Sequence, residues 1–217
     1  ANFEVIQPRE RGLEYGISHF GDHFYLRTNK DAATNFKLMR TPVTAPSKEN
    51  WEDVLPHRED VFLQDMELFK DYLVVEEREA GLTKIRIQHW SSGEVQYLPF
   101  EEETYTAYLG NNPSFEQDFV RYGYTSLTTP SSVVDLAFST GEKTVQKEQE
   151  VVGGYDKSKY ETKRIWATAP DGTKVPMSLV YRKDLLREES ANPTLLYGYG
   201  SYGITIDPQF SSVRLSL

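Results

Sequence analysis

The chain has 217 residues and no cysteine, with 24 Lys and Arg set against 33 Asp and Glu, giving a formal net charge of −9. Disulfides, thiolate catalysis and sulfur-ligated zinc are excluded, and the acidic balance argues against a nucleic-acid or anionic-membrane partner. With 38% hydrophobic and 13% aromatic residues, no apolar run of membrane-spanning length and no leader pattern, the expectation is a folded, strand-rich, cytoplasmic protein.

From the N-terminus, strand-like runs come in pairs. "HFYLRTN" and "NFKLMRTPV" flank the turn-prone "KDAAT", "DYLVVEERE" and "LTKIRIQHW" flank "AG", and "FVRYGYTSL" and "SVVDLAFSTGE" flank "TTPS". The alternation predicts antiparallel strands over Phe20–Thr28, Asn35–Val43, Tyr72–Glu79, Lys84–Trp90 and Arg121–Leu127. The first two hairpins align as a repeat: Phe20-Gly21-Asp22-His23-Phe24 matches Phe69-Lys70-Asp71-Tyr72-Leu73, and Lys37-Leu38 matches Lys84-Ile85. The third begins near Phe119, again about fifty residues on, and "VFLQDMELF" and "TYTAYLGNN" supply further strands. A strand-only unit of this period predicts propeller blades, each a four-stranded sheet, and three of them are too few to close a ring. Residues 1–155 are therefore expected to be part of a β-propeller.

Several side chains in this part invite a functional reading. His19 and His23 have metal-ligand spacing only on a shared helical face; around a strand entry they read as surface histidines, and neither a metal nor a cofactor is expected. The acidic runs Glu76-Glu77-Glu79 and Glu101-Glu102-Glu103 could draw basic peptides into a propeller channel, although solvated blade edges guarded by charge are the commoner use. Trp51, Trp90 and Trp166 are expected to pack within the core or between blades.

The character changes near residue 155. "KRIWATAPDGTKVPMSLVYRKD" alternates on both sides of Asp171-Gly172, which predicts a hairpin with a tight turn at positive φ. The polar linker "LLREESANP" leads to "TLLYGYG", which reads as a strand buried on both faces at the start of an α/β sheet. "DPQFSSVRLSL" suits a helix start, with Asp207 as N-cap and Pro208 at the first helical position. It carries no stop signal, so the chain is expected to break off inside a domain.

The stretch "YGYGSYG", residues 197–203, would deliver Tyr199 to the C-terminal edge of that sheet, where ligands of open α/β sheets bind. A tyrosine hydroxyl there can donate to a developing oxyanion; equally, these tyrosines suit plain packing beside turn glycines.

"YGYGSYG", "RYGYTSLTTP", "YLVVEEREAGLT" and "DGTKVPMSLVYRKD", in this order along nearly the whole chain, resemble the prolyl oligopeptidase family of serine peptidases, and within it the oligopeptidase B (protease II) branch. The resemblance implies a seven-bladed β-propeller followed by an α/β-hydrolase domain, and cleavage of short peptides after Arg or Lys. On that pattern residues 1–155 are the last blades of the propeller, and residues 156–217 are the truncated start of the peptidase domain. It further implies that Tyr199 helps to form the oxyanion hole, that Tyr202 lines the primary specificity pocket, and that Asp207 is the first of an acidic pair that binds basic substrates. Gln209 stands at the second position of that pair, a departure that weakens the case for dibasic recognition.

No Gly-x-Ser-x-Gly elbow occurs, and all four histidines, His19, His23, His57 and His89, precede the hydrolase-like segment. The nucleophile, acid and base are thus expected beyond Leu217, and residues 1–217 alone are expected to be inactive. The implied partners are short, basic peptides and the remainder of its own peptidase domain. The competing reading is a non-catalytic β-propeller module that binds a peptide or protein, and the residues coded after Leu217 would separate the two.

Overall fold

The computed structural model describes residues 3–187 and 189–216. Three four-stranded antiparallel sheets follow one another in chain order. The first is β1 (Tyr15–Phe20), β2 (His23–Thr28), β3 (Lys37–Pro42) and β4 (Glu52–Leu55); the second is β5 (Val61–Leu68), β6 (Tyr72–Glu79), β7 (Leu82–His89) and β8 (Val95–Tyr97). The third is β9 (Tyr105–Leu109), β10 (Phe119–Ser126), β11 (Ser132–Ala137) and β12 (Lys143–Glu148). Within each sheet, sequential strands are neighbours, the meander of a propeller blade. The five strands expected from alternation all form, as β2, β3, β6, β7 and β10.

The repeat seen in the sequence is also a repeat of hydrogen bonds. The residue just before the second strand of each blade is an aspartate, and its carbonyl accepts the backbone N–H of the residue following the third strand. Val43 donates to Asp22 at 3.0 Å, Trp90 to Asp71 at 2.9 Å and Phe138 to Asp118 at 2.9 Å. The blade is tied across its two central strands by the same backbone bond each time.

By contacts the chain packs as two units, residues 1–80 with 84–98 and 113–117, and residues 81–83 with 99–112 and 118–217. In the first, Tyr25, Leu38, Leu55, Leu63, Leu73 and Val75 form the buried core shared by the first two sheets, and Leu26, Met39 and Trp51 form a second cluster. Trp90 borders the larger core and donates its indole N–H to the Phe69 carbonyl at 3.0 Å. In the second unit the third sheet buries Ala107, Val120, Tyr122, Val134 and Leu136, beside an aromatic group in which Phe100 lies 4.4 Å from Tyr105 and stacks on Tyr124 at 5.4 Å.

β13 (Tyr160–Thr168) and β14 (Lys174–Arg182) then pair over nine residues as an isolated two-stranded ribbon. Its turn is not the tight two-residue turn expected. Pro170 holds a negative φ, so only Gly172 enters the left-handed region, at φ 89°, and Gly172 N–H closes on the Ala169 carbonyl at 2.9 Å. Trp166 corrects another expectation, being half exposed, with the Arg164 guanidinium 5.6 Å from its ring. A two-stranded ribbon has no second layer to bury it.

Candidate functional site

The two acidic runs divide: Glu76 and Glu77 are inside, Glu79 and Glu102 are partly covered, and Glu101 and Glu103 lie exposed, as a charge-guarded edge would have them. Glu76 and Glu77 lie on β6, a central strand, and both are buried. Gln64 donates to the Glu76 carboxylate at 3.1 Å and the Tyr97 hydroxyl to Glu77 at 2.8 Å, while Glu79 pairs with Lys84 across the β6–β7 turn. Glu103 accepts the backbone N–H of Arg164 at 3.1 Å.

Glu102 is largely enclosed, its side chain 14% exposed. Its carboxylate accepts from Tyr124 and Thr129 at 2.7 Å and from Ser126 and Thr128 at 2.8 Å, and Lys157 completes the group at 3.2 Å. Burial pushes this carboxyl up, but the four hydroxyls outweigh it and hold it below the ordinary glutamate value. Burial and the same carboxylate push the Tyr124 phenol up. Three of the four hydroxyl donors come from "TSLTTP" at the end of β10 and the turn to β11, where Ser126 Oγ also accepts the N–H groups of Thr128 and Thr129 at 3.0 and 2.8 Å. Sequence reasoning missed this site because a glutamate beside two others reads as surface. The signal was the unusual density of hydroxyls in "YTSLTT".

His19 and His23 stand on adjacent strands rather than along one pleat, because Gly21-Asp22 turns the chain back between them. His23 Nδ1 lies 2.6 Å from the Asp22 carboxylate, and His19 packs against Phe24. Among the described residues no group of three His, Asp or Glu side chains is placed to hold a metal ion, and no helix is long and apolar enough to cross a membrane.

The segment from Thr194 to Tyr199 is not the buried strand expected. It carries no regular structure, and Leu195, Leu196 and Tyr197 are exposed. A strand apolar on both faces needs hydrogen-bonded neighbours and cover on each side, and none of the described residues pairs with it. Tyr199 is 48% and Tyr202 92% exposed, and among the described residues neither hydroxyl has a hydrogen-bond partner. The chain reverses at Ser201–Ile204, where Ile204 N–H donates to the Ser201 carbonyl at 3.0 Å. Tyr202 and Gly203 both take left-handed φ, 56° and 67°. Glycine accepts this freely and tyrosine does not, so Tyr202 is held in a conformation its side chain resists.

Asp207 is half buried and accepts from the Thr205 hydroxyl at 3.0 Å; Gln209 is exposed. Asp207 caps no helix. Pro208 is buried with its carbonyl on the Thr106 hydroxyl at 2.9 Å, and Phe210 N–H donates to Thr125 Oγ1 at 3.2 Å, which keeps this stretch extended on the third blade. The helical turn forms later, at Arg214–Ser216, where Ser211 Oγ accepts the Arg214 N–H at 3.3 Å. The structure thus anchors the residues after Asp207 firmly and leaves Tyr199 and Tyr202 open.

The model of the prolyl oligopeptidase N-terminal β-propeller domain matches residues 1–149. Over 99% of its length the chain is 45% identical to a dipeptidyl aminopeptidase BI from Pseudoxanthomonas mexicana and 37% identical to a protease 2 from Moraxella lacunata. Among solved structures, oligopeptidase B from Leishmania major superposes on 96% of the chain with a TM-score of 0.86 at 38% identity. The chain spans about 30% of the length of each of these three proteins.

Proposed function

The chain belongs to the prolyl oligopeptidase family, and on that premise we propose that the complete protein is a serine oligopeptidase that hydrolyses short peptides after Arg or Lys through an acyl-enzyme. The observation that carries this reading is continuity. Blades, hairpin and the "YGYGSYG" segment run in one order along a chain that resembles oligopeptidase B over 96% of its length. In this reading residues 156–217 begin the peptidase domain. Tyr199 donates its hydroxyl to the tetrahedral oxyanion, Tyr202 lines the pocket for the basic side chain, and Asp207 faces its charge. The exposure of Tyr199 and Tyr202 suits side chains that await the rest of a site. Residues 1–217, which hold no elbow serine, do not hydrolyse peptides by themselves.

A second reading, release of dipeptides from a free N-terminus, is favoured by the 45% identity to a protein named as a dipeptidyl aminopeptidase and by Gln209 in place of a second acid. One experiment addresses both. The full-length protein is given Arg-containing peptides with free and with blocked N-termini, with and without a serine-directed phosphonate. Turnover of blocked peptides that the phosphonate abolishes is the expected result. Cleavage of free peptides alone selects the dipeptide-releasing reading, and a protein that neither labels nor turns over is the non-catalytic module.

A further inference from the structure

We infer that Glu102 is a positioning residue: through the β10–β11 turn it holds both the connector that leaves the third blade and the segment that carries Asp207. Two chains of contacts lead outward from its carboxylate. Along the first, Thr128 donates its hydroxyl to Glu102 at 2.8 Å, and its carbonyl accepts the Tyr155 hydroxyl at 2.9 Å. The Tyr155 ring packs edge-on against Phe210 at 5.0 Å and beside Tyr160, the first residue of β13, at 5.6 Å. Along the second, Thr129 donates to Glu102 at 2.7 Å, its carbonyl accepts the Thr125 hydroxyl at 3.0 Å, and Thr125 Oγ1 in turn accepts the Phe210 N–H at 3.2 Å. Lys157 closes the group from the connector side, reaching Glu102 at 3.2 Å and the Thr129 hydroxyl at 2.7 Å.

The chemistry explains why a carboxylate stands here. Four hydroxyls donate to one group, so that group must be an acceptor with two oxygens and no proton of its own. A glutamine offers one oxygen and would turn an amide N–H toward the remaining hydroxyls. The hydroxyl orientations fixed by the charge then set which carbonyls of the turn face outward to Tyr155 and Thr125. Removing the charge therefore loosens two segments that Glu102 does not itself touch, residues 205–211 and, apart from Lys157, the connector 151–160.

The test is hydrogen exchange in the full-length protein, whose outcome does not depend on activity. Glu102→Gln is expected to speed exchange roughly tenfold in peptides 151–160 and 205–211, the loss of a hydrogen bond to a charged group being worth about that factor, while β10 and β11 keep their protection. Tyr155→Phe is expected to speed the same two peptides, and adding it to Glu102→Gln should yield less than the product of the single effects, since both break one linkage. Unchanged exchange in both peptides of a folded Glu102→Gln protein overturns the inference. So does a parallel rise in 119–137, which would make Glu102 only filling for the blade. Should Glu102→Gln not fold, Tyr155→Phe and Lys157→Met, which leave the blade's own bonds in place, decide alone: protection unchanged in 151–160 overturns it. The bearing on substrate rests on the function proposed for Asp207. On an Arg-containing peptide, a several-fold higher KM with kcat nearly kept is expected. A full-length protein without peptidase activity would refute that function and leave the exchange result to judge the clamp.

Discussion

The blades and the segment from residue 193 to 206 are written in similar residues, yet they meet opposite fates. Leu73 on β6 is fully buried, whereas Leu196 is 82% exposed. Each blade strand finds its partners within a few dozen residues, by hairpins that close locally, so that even Leu73-Val74-Val75, buried on both faces of β6, is covered. "TLLYGYG" is apolar on both faces and has no local partner to fold against. A continuous apolar run is buried where its hydrogen-bonded neighbours lie close in sequence, as on β6 between β5 and β7, and is left open where neighbours and layers must come from elsewhere.

The contrast is sharpest in paired truncations. Leu73→Ala removes a side chain from the core shared by the first two blades and is expected to cost about 2–5 kcal/mol, while Leu196→Ala should fall within roughly 0.5 kcal/mol. Chemical denaturation of residues 1–217 checks both. Equal losses would mean that the exposed segment is packed in solution and that the two regions do not differ.

In the full-length protein the exposed segment should matter for chemistry instead. If Tyr199 donates to the oxyanion, Tyr199→Phe should lower kcat by on the order of 10²- to 10³-fold, with KM little changed and the melting temperature kept. An unchanged kcat in a normally folded variant would return the tyrosine to architecture. Tyr202 probes the same region from the side of strain. Its φ of 56° opposes any β-carbon, so Tyr202→Gly should stabilise the turn by about 1 kcal/mol. The same change should weaken an Arg-containing substrate if the ring lines its pocket. Stabilisation without any loss of substrate affinity would show that the strain serves no site.

What the sequence made legible follows the same division. The hairpins and their period were readable because strand-like runs and turn residues act locally, and the structure adds the backbone bonds to the Asp22, Asp71 and Asp118 carbonyls that repeat from blade to blade. The burial of Glu76, Glu77 and Glu102 was not readable, since composition says nothing about which hydroxyl from a distant turn will meet a carboxylate. The helix expected at Asp207 failed for a related reason. Local capping chemistry lost to two long-range bonds, from Thr106 to the Pro208 carbonyl and from Phe210 to Thr125 Oγ1.

The smallest expected effect separates two glutamates inside the blades. Glu67 on β5 has no hydrogen-bond or ion-pair partner among the described residues. Burial, and then the nearby Asp65 charge, push its carboxyl up from 4.5 to about 6. A folded-state value above the unfolded one means that the native protein favours the protonated form. The stability this contributes is complete below pH 4.5 and is lost as pH rises through about 6. Glu102 has the opposite sign: its value is lowered, so its contribution is present above the ordinary glutamate value and is lost as the solution is acidified. Glu67→Gln keeps the shape and removes the charge. It should raise the melting temperature of residues 1–217 by ~1–2 °C at pH 7, a figure kept small because Glu67 is only half buried, and the advantage should shrink toward pH 4.5. Glu102→Gln should destabilise at pH 7, and its deficit should narrow as acid protonates the wild-type carboxylate. A pH-independent offset for Glu67→Gln would show that its carboxylate is solvated like any surface acid, and that blade burial sets no difference between the two.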